Sequence, residues 1–574
     1  MACTTTGGPI LVGGDSAMVL FNRVFMSRPY AVGGMGVVSS DGKSIVANNT
    51  VALNAAGTVQ TLAGSQLSAT RLNVTGTSFI SRGNIALTGT SRNDWLVSDL
   101  VQTFGLTHAA GALKIDANRL TTQAGSLLSS NNSITATMIP SASTGVIGSI
   151  SHSGVMTGSA ITLSGTTISG GTASQITATG ALNATATAAV NLFGETSAAT
   201  MALNGASVEL RGRAFADLMT LTASGAITTR DGVYARDRLT ANAGGTFTNL
   251  GYLEAVNKMT VNALAFDNRA GAEARSNDIA VTTDAWASNA GKMFGARDIS
   301  FNAGTNVTNV AGGSIDAGSL GVTAAGNFTN SGTIDVFGFF GNVTGSSTNN
   351  SVLRATTYLG LNGGAFTNAA AATPWSDNHI FIRSTGAVRN LATTVVHAKA
   401  MDIRAASFEN TGQLRAREVI NIADVTGNVT NSGVLYAPVI AVVAGGSLSN
   451  SGTIGQTSNT SLPRATLVNL ASGSWIDNDG AVRSAELRLQ GTGHVTIGAT
   501  GVVHEDGVPL RPSTSTRQSR HEPKASTMSV AQSFGMAMPA SIDARMIEVP
   551  SGTVTVKPST VSVTCFSDRE AGVP

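Results

Sequence analysis

The amino-acid sequence predicts an all-β chain wound as a parallel β-helix, a β-solenoid with about 20 residues per coil. Three observations carry that reading: an asparagine that returns about every 20 residues, short segments alternating apolar and polar residues, and an unusual composition. Of 574 residues, 66 are glycine, 12% are charged and 5% are aromatic. Ordinary globular chains carry about 25% charged residues and about 7% glycine. At 42% apolar the chain is too hydrophobic to stay solvated and disordered. It is also too poor in aromatics for a thick core, where Phe, Tyr and Trp dominate the buried area. A long chain that must bury small side chains efficiently points to stacked repeats.

The repeat unit reads large apolar, any, Asn, any, Gly, any, apolar. It stands clearest at Phe247-Thr-Asn249-Leu-Gly251, Phe328-Thr-Asn330-Ser-Gly332, Phe408-Glu-Asn410-Thr-Gly412, Val429-Thr-Asn431-Ser-Gly433 and Leu448-Ser-Asn450-Ser-Gly452. Weaker copies centre on Asn268, Asn289, Asn309, Asn349, Asn368 and Asn390, so successive asparagines keep close to one constant interval. Each period holds a second strand-like unit, such as Ile279-Ala-Val281, Ile299-Ser-Phe301, Ile380-Phe-Ile382 or Leu487-Arg-Leu489. Alternation at period two is the strand signature.

Strands this short are not stable as isolated hairpins. Stacked coil on coil, equivalent strands lie parallel at about 4.8 Å and bury their apolar side chains in shared columns. The recurrent Asn is expected at a tight corner, where it tolerates the left-handed region and bonds nearby backbone. Its amide is also expected to bond the Asn of the coils above and below, as in cross-β stacks. Asn249, Asn268, Asn289, Asn309, Asn330, Asn349, Asn368, Asn390, Asn410, Asn431 and Asn450 are therefore assigned to a structural corner ladder. The Gly two positions later allows the next corner without a Cβ clash.

Along the chain, residues 1–45 carry no repeat and are expected to cap the first coil, since an open coil is an exposed sheet edge. Residues 46–240 read as degenerate coils, with alternating stretches at Val51-Ala-Leu53, Leu72-Asn-Val74, Ile161-Thr-Leu163 and Val208-Glu-Leu210 but an irregular Asn corner. Residues 241–505 hold the regular repeats. Residues 506–574 form a Pro/Ser/Thr-rich tail, read as linker or disorder; Val554-Thr-Val556 is a lone strand-like piece within it. Residues 46–500 accommodate about 23 coils of the repeat length.

Several function classes fall away on charge and spacing. A net charge of +2 does not supply the basic stripe that nucleic-acid binding needs. No apolar run approaches a membrane-spanning helix, and no secretory signal is expected, because the first basic residue is Arg23. Cys3 and Cys565 stand at opposite ends of the chain, too far apart in an elongated array for an intrachain disulfide. Gly42-Lys43-Ser44 lacks the preceding glycine of a phosphate-binding loop, with Val37 in its place. His504-Glu505 and His521-Glu522 lack the second histidine of a zinc-protease helix, and all seven histidines are expected on solvent-facing rungs. No cofactor or metal is expected. The period is wrong for repeat-bound calcium, and Asp477, Asn478 and Asp479 read as an ordinary turn. Acid/base chemistry on this fold needs carboxylates on neighbouring coils. Asp278 and Asp298 with Arg275, and more loosely Asp402 and Glu418, have that spacing, but Asp278 and Asp298 each directly precede a strand Ile, so an outward solvated position explains that pair. Thr135-Ala-Thr137, Thr177-Ala-Thr179 and Thr185-Ala-Thr187 show no repeat-locked spacing of the kind a lattice-binding face uses.

The Phe-Thr-Asn-x-Gly-x-Ile unit, alternating with x-Ile-x-Val-x-Ala-x-Gly, resembles the haemagglutinin repeats of filamentous-haemagglutinin-type exoproteins, adhesins exported by two-partner secretion. The resemblance covers residues 240–490 well and 46–240 weakly. It implies a right-handed β-helical stalk, secreted or held at a bacterial surface, that attaches to host cells, other bacteria or extracellular polymers through unidentified receptors. It also implies an outer-membrane pore transporter acting on a longer precursor. Neither the signal and secretion domain of such exoproteins nor a terminal toxin module is visible, so a fragment or passenger region is expected. The alternatives are a polysaccharide-active β-helix enzyme, lyase or hydrolase, and the stalk of a contact-dependent inhibition toxin carrier.

Overall fold

A computed structural model of the chain describes residues 44–456 and 464–497, apart from 55, 56, 62, 392, 394 and 494, with further strands at Ile10–Val12, Gly36–Val38, Val502–Glu505 and Val508–Leu510. The expectations for the rest of 1–45 and of 506–574, including the cap, the tail, Val554-Thr-Val556 and both cysteines, lie outside the described residues. The described residues form strands and turns without a helix, in parallel stacked coils of a β-solenoid with about 22 turns of about 20 residues. The chain divides into two compact units, Met1–Gly318 and Ser319–Pro574.

In the first unit one coil shows how the sequence builds the rest. Tyr252–Ala255 pairs in parallel with Glu273–Ser276 of the following coil, and Lys258–Ala263 with Asp278–Thr283. Phe266–Asn268 then pairs with Ala287–Asn289. The register breaks between Ala255 and Lys258, where the chain bends from one sheet to the next. Each coil thus contributes three strand segments. The alternation announced two of them; the segment following the glycine is the third. Leu253, Ala255, Met259, Val261, Ala263 and Phe266 point inward and are buried, while Glu254, Lys258, Thr260 and Asn262 reach solvent to varying degrees.

Parallel register converts this alternation into columns. Phe247 and Phe266 are neighbours in one column, their rings stacked 5.9 Å apart and 10° from parallel. Earlier in the same unit Phe79 meets Trp95 edge-on at 4.9 Å. Fully burying such a side chain contributes roughly 1.5–3 kcal/mol, and each column repeats the gain once per coil.

The second unit follows the same plan. Phe328, Ser347, Phe366, Val388, Phe408, Val429, Leu448 and Ile476 mark the column that starts the Asn-bearing strand. All eight are buried.

Departures from parallel stacking are local. In the first unit Gly36–Val38 folds antiparallel onto Ile45–Ala47, whereas Ile10–Val12 keeps the parallel sense on Val51–Leu53. In the second, Val508–Leu510 returns antiparallel on Val503–Glu505. Residues 139–149 leave the coil and return through the Pro140–Ile147 bridge, which helps to bring the coil number below that expected from length.

Candidate functional site

Each ladder asparagine ends the short strand of its coil with its side chain turned inward, which buries an amide beside apolar columns. In the first unit Asn249 Nδ2 donates to Asn268 Oδ1 at 2.9 Å, Asn268 to Asn289 at 2.7 Å, and Asn289 to Asn309 at 2.9 Å. In the second, Asn330 donates to Asn349 at 2.8 Å, Asn349 to Asn368 at 3.1 Å, and Asn368 to Asn390 at 2.9 Å. The chain continues from Asn390 to Asn410, Asn410 to Asn431 and Asn431 to Asn450, each at 2.7 Å. At several rungs the second Nδ2 hydrogen goes to backbone, as from Asn249 to the Glu273 carbonyl at 3.2 Å and from Asn330 to that of Val352 at 2.8 Å. All eleven are at most 4% exposed.

One part of the expectation is corrected. The asparagines are not left-handed: among the described non-glycine residues only Asp424 has a positive φ, 53°. They complete an extended strand, and it is their amide that matters. The ladder also has a rung that spacing conceals. Asn450 donates to Asn478 at 2.5 Å, and Asn478 Nδ2 donates to the Gly480 carbonyl at 3.0 Å. Asn478 is therefore a rung and its Oδ1 is occupied. Spacing alone passes over it, because its separation from Asn450 is well beyond one repeat.

Upstream the same column runs Thr61, Ser81, Thr103, Thr122, His152, Gly170, Leu192, Leu210 and Thr229. Thr229 Oγ1 donates to Asn249 Oδ1 at 2.9 Å and so starts the amide ladder. Hydroxyls serve the corners directly: Thr61 Oγ1 accepts from the amides of Arg82 and Gly83, both at 3.0 Å. His152, expected on a solvent-facing rung, is 1% exposed. Its Nδ1 lies 2.5 Å from Thr122 Oγ1 and its Nε2 3.0 Å from the Gln175 carbonyl. Burial pulls its pKa below 6.5, partly offset by the bond to Gln175. The column position, invisible without register, explains the error.

The acidic candidates separate. Asp278 and Asp298 do face each other on adjacent coils, but Asp278 is bound by Arg297. Arg275 lies across the bend, pairing with Glu273 at 3.3 Å and covering Phe294. Asp402 stands opposite Asn421, which donates to it at 3.2 Å, whereas Glu418 pairs with Lys399 at 3.3 Å. Burial raises the Asp402 pKa, against the nearby positive charges of Arg404, His379 and Arg383. Among the described residues no three His, Cys, Asp or Glu side chains come together as a metal site.

The structure brings together a different set. On an outer face of the second unit, Asp335, Arg354, Trp375, His397, Arg415 and Tyr436 occupy one outward column on successive coils. An open groove of about 550 Å³ runs over the last four, bounded by Asp377, Arg417 and Pro438. Arg354 lies on the Trp375 ring, 4.3 Å from its centroid, and pairs with Asp335 at 3.4 Å. Arg417 Nη2 donates to the Asp377 carbonyl at 2.7 Å and meets its carboxylate at 3.5 Å, so it straps one side. Arg415 Nη2 donates to Gln413 Oε1 at 3.1 Å. Burial, then the charges of Arg415 and Arg417, lower the His397 pKa.

These residues share the repeat spacing but differ in type, so a search for one recurring residue passes over them. The available signal was position: Arg354, Arg415 and Tyr436 each stand five residues after a ladder asparagine. No family model, curated protein or solved structure matches the chain.

Proposed function

We propose that this chain is a non-enzymatic binding stalk of a secreted or surface-held adhesin, attaching a bacterial cell to other cells or to extracellular polymers. The carrying observation is the continuous buried architecture of each unit, with columns of apolar side chains and a satisfied amide ladder that leave the outward positions free for contact. An attachment role uses such a scaffold directly, because outward residues change without disturbing the core. The repeats' resemblance to haemagglutinin-type exoproteins supports the same reading and, with it, export of a longer precursor through an outer-membrane pore.

A hydrolase on this fold would need two carboxylates flanking the scissile bond. The groove is lined by one, Asp377, which Arg417 engages. The test is attachment of the purified, labelled chain to bacterial and epithelial cells and to immobilised polysaccharides, with the same polysaccharides assayed for cleavage. Saturable attachment without shortened chains is expected. Catalytic shortening of any of them would overturn the stalk reading in favour of a polysaccharide-active enzyme.

A further inference from the structure

We propose that the groove from Trp375 to Tyr436 binds a carboxylate-bearing saccharide chain, with Arg415 holding the carboxylate and the two aromatic rings carrying sugar faces. This names the ligand class of the stalk proposed above and rests on that reading.

Four rungs at about 4.8 Å place Trp375 and Tyr436 about 14 Å apart along the column, a length that suits a short run of sugar rings. Arg354 covers one side of the indole and lies outside the groove lining, so the groove meets Trp375 on its other side. Tyr436 closes the far end of the column. An aromatic body with a polar tip suits a sugar, which presents C–H faces and a polar rim.

Charge selects among sugars. Arg354 has Asp335 and Arg417 has Asp377. No carboxylate among the described residues pairs with Arg415; its Nη2 reaches the neutral Gln413, and its Nε is buried without a partner. A guanidinium so placed keeps donors for the two oxygens of a carboxylate, which it grips better than an ammonium would. Its neighbour in the column, His397, brings no negative charge, so the centre of the groove stays positive and uncompensated. An extended peptide finds no free strand edge there, because each of these strands already pairs with the coils on both sides. A single uncompensated guanidinium does not supply the several basic contacts that a polyphosphate backbone takes.

The experiment is calorimetric titration of the full chain with an oligogalacturonate, its methyl ester, a sulfated oligosaccharide, an oligoglutamate and a single-stranded oligonucleotide. Binding of the oligogalacturonate is expected, with a loss of about tenfold or more for the methyl ester and for Arg415→Gln, as for a lost charge-assisted bond. Trp375→Ala should lose a similar factor, whereas Arg389→Gln, elsewhere on the unit, should not. Thermal melts of each variant separate loss of the site from loss of the fold. Equal binding of the methyl ester, wild-type affinity in both groove variants, or preference for the sulfated sugar, peptide or oligonucleotide would each overturn the proposal. Cell attachment that survives a failed titration sinks only the groove ligand. Cleavage of the bound oligosaccharide sinks the stalk reading and leaves the site.

Discussion

A buried asparagine is a burden to a protein unless its amide is fully bonded, and here each rung supplies the partners of the next. Asn410 accepts from Asn390 and donates to Asn431. Asn410→Ala removes both bonds and leaves a buried donor and a buried acceptor unmatched, at roughly 1–3 kcal/mol for each group. A lowered denaturation midpoint is therefore expected, with a smaller loss for Asn478→Ala at the last amide link. Equal, negligible losses would remove the ladder from the account of stability. His152 gives a pH signature. Its folded pKa is lowered from 6.5 by burial, so below about 6.5 the unfolded chain binds more protons than the folded one. Stability is complete above that pH and is lost as pH falls through the unfolded and then the folded value. His379 and His397 are lowered too and act with the same sign. His152→Asn should flatten, without abolishing, the fall in melting temperature on the acid side of about pH 6.5; an unchanged slope would show that His152 does not contribute.

At the scale of the coil, corner glycines set how closely successive turns approach. A Cβ on Gly433 would sit 1.9 Å from the Gly412 carbonyl oxygen, and one on Gly251 1.3 Å from that of Arg230. Neither residue has a positive φ; the constraint is stacking of backbone on backbone, where a Cβ has no room. Gly433→Ala is expected to cost about 1–3 kcal/mol, as overpacking does. Gly321, on a strand with nothing within 4 Å of its Cβ, is the contrast: Gly321→Ala should be neutral or stabilise by about 0.4–1 kcal/mol through the unfolded chain. Denaturant midpoints of the pair decide it. The groove belongs to this scale as well. Each of its residues is ordinary in its own coil, and only register sets Trp375, His397, Arg415 and Tyr436 in file.

Across the molecule, stability is expected to accumulate coil by coil from nearest-neighbour contacts, as in other repeat architectures. The exposed ion pairs add little to that sum. Arg119 with Asp99, Arg354 with Asp335 and Arg488 with Glu486 are all solvent-exposed, and such pairs contribute about 0–1 kcal/mol and are screened by salt. Raising sodium chloride to about 1 M should therefore shift the melting temperature only slightly, while oligogalacturonate binding at Arg415 should weaken clearly. A large salt-induced loss of stability would mean that charge, rather than buried columns and amides, holds the coils together.

The sequence by itself determined the fold class, the coil length and the regular asparagine rungs. Those depend on which residue type recurs at which interval, and a stacked repeat records that in its spacing. Tertiary structure decided the rest: that Asn478 continues the ladder, that Thr61 through Thr229 occupy its upstream column, that His152 is buried, and that unlike side chains line a groove. Each of these depends on register between coils of unequal length, where insertions such as residues 139–149 break the arithmetic. Backbone pairing carries register across such insertions; residue spacing does not.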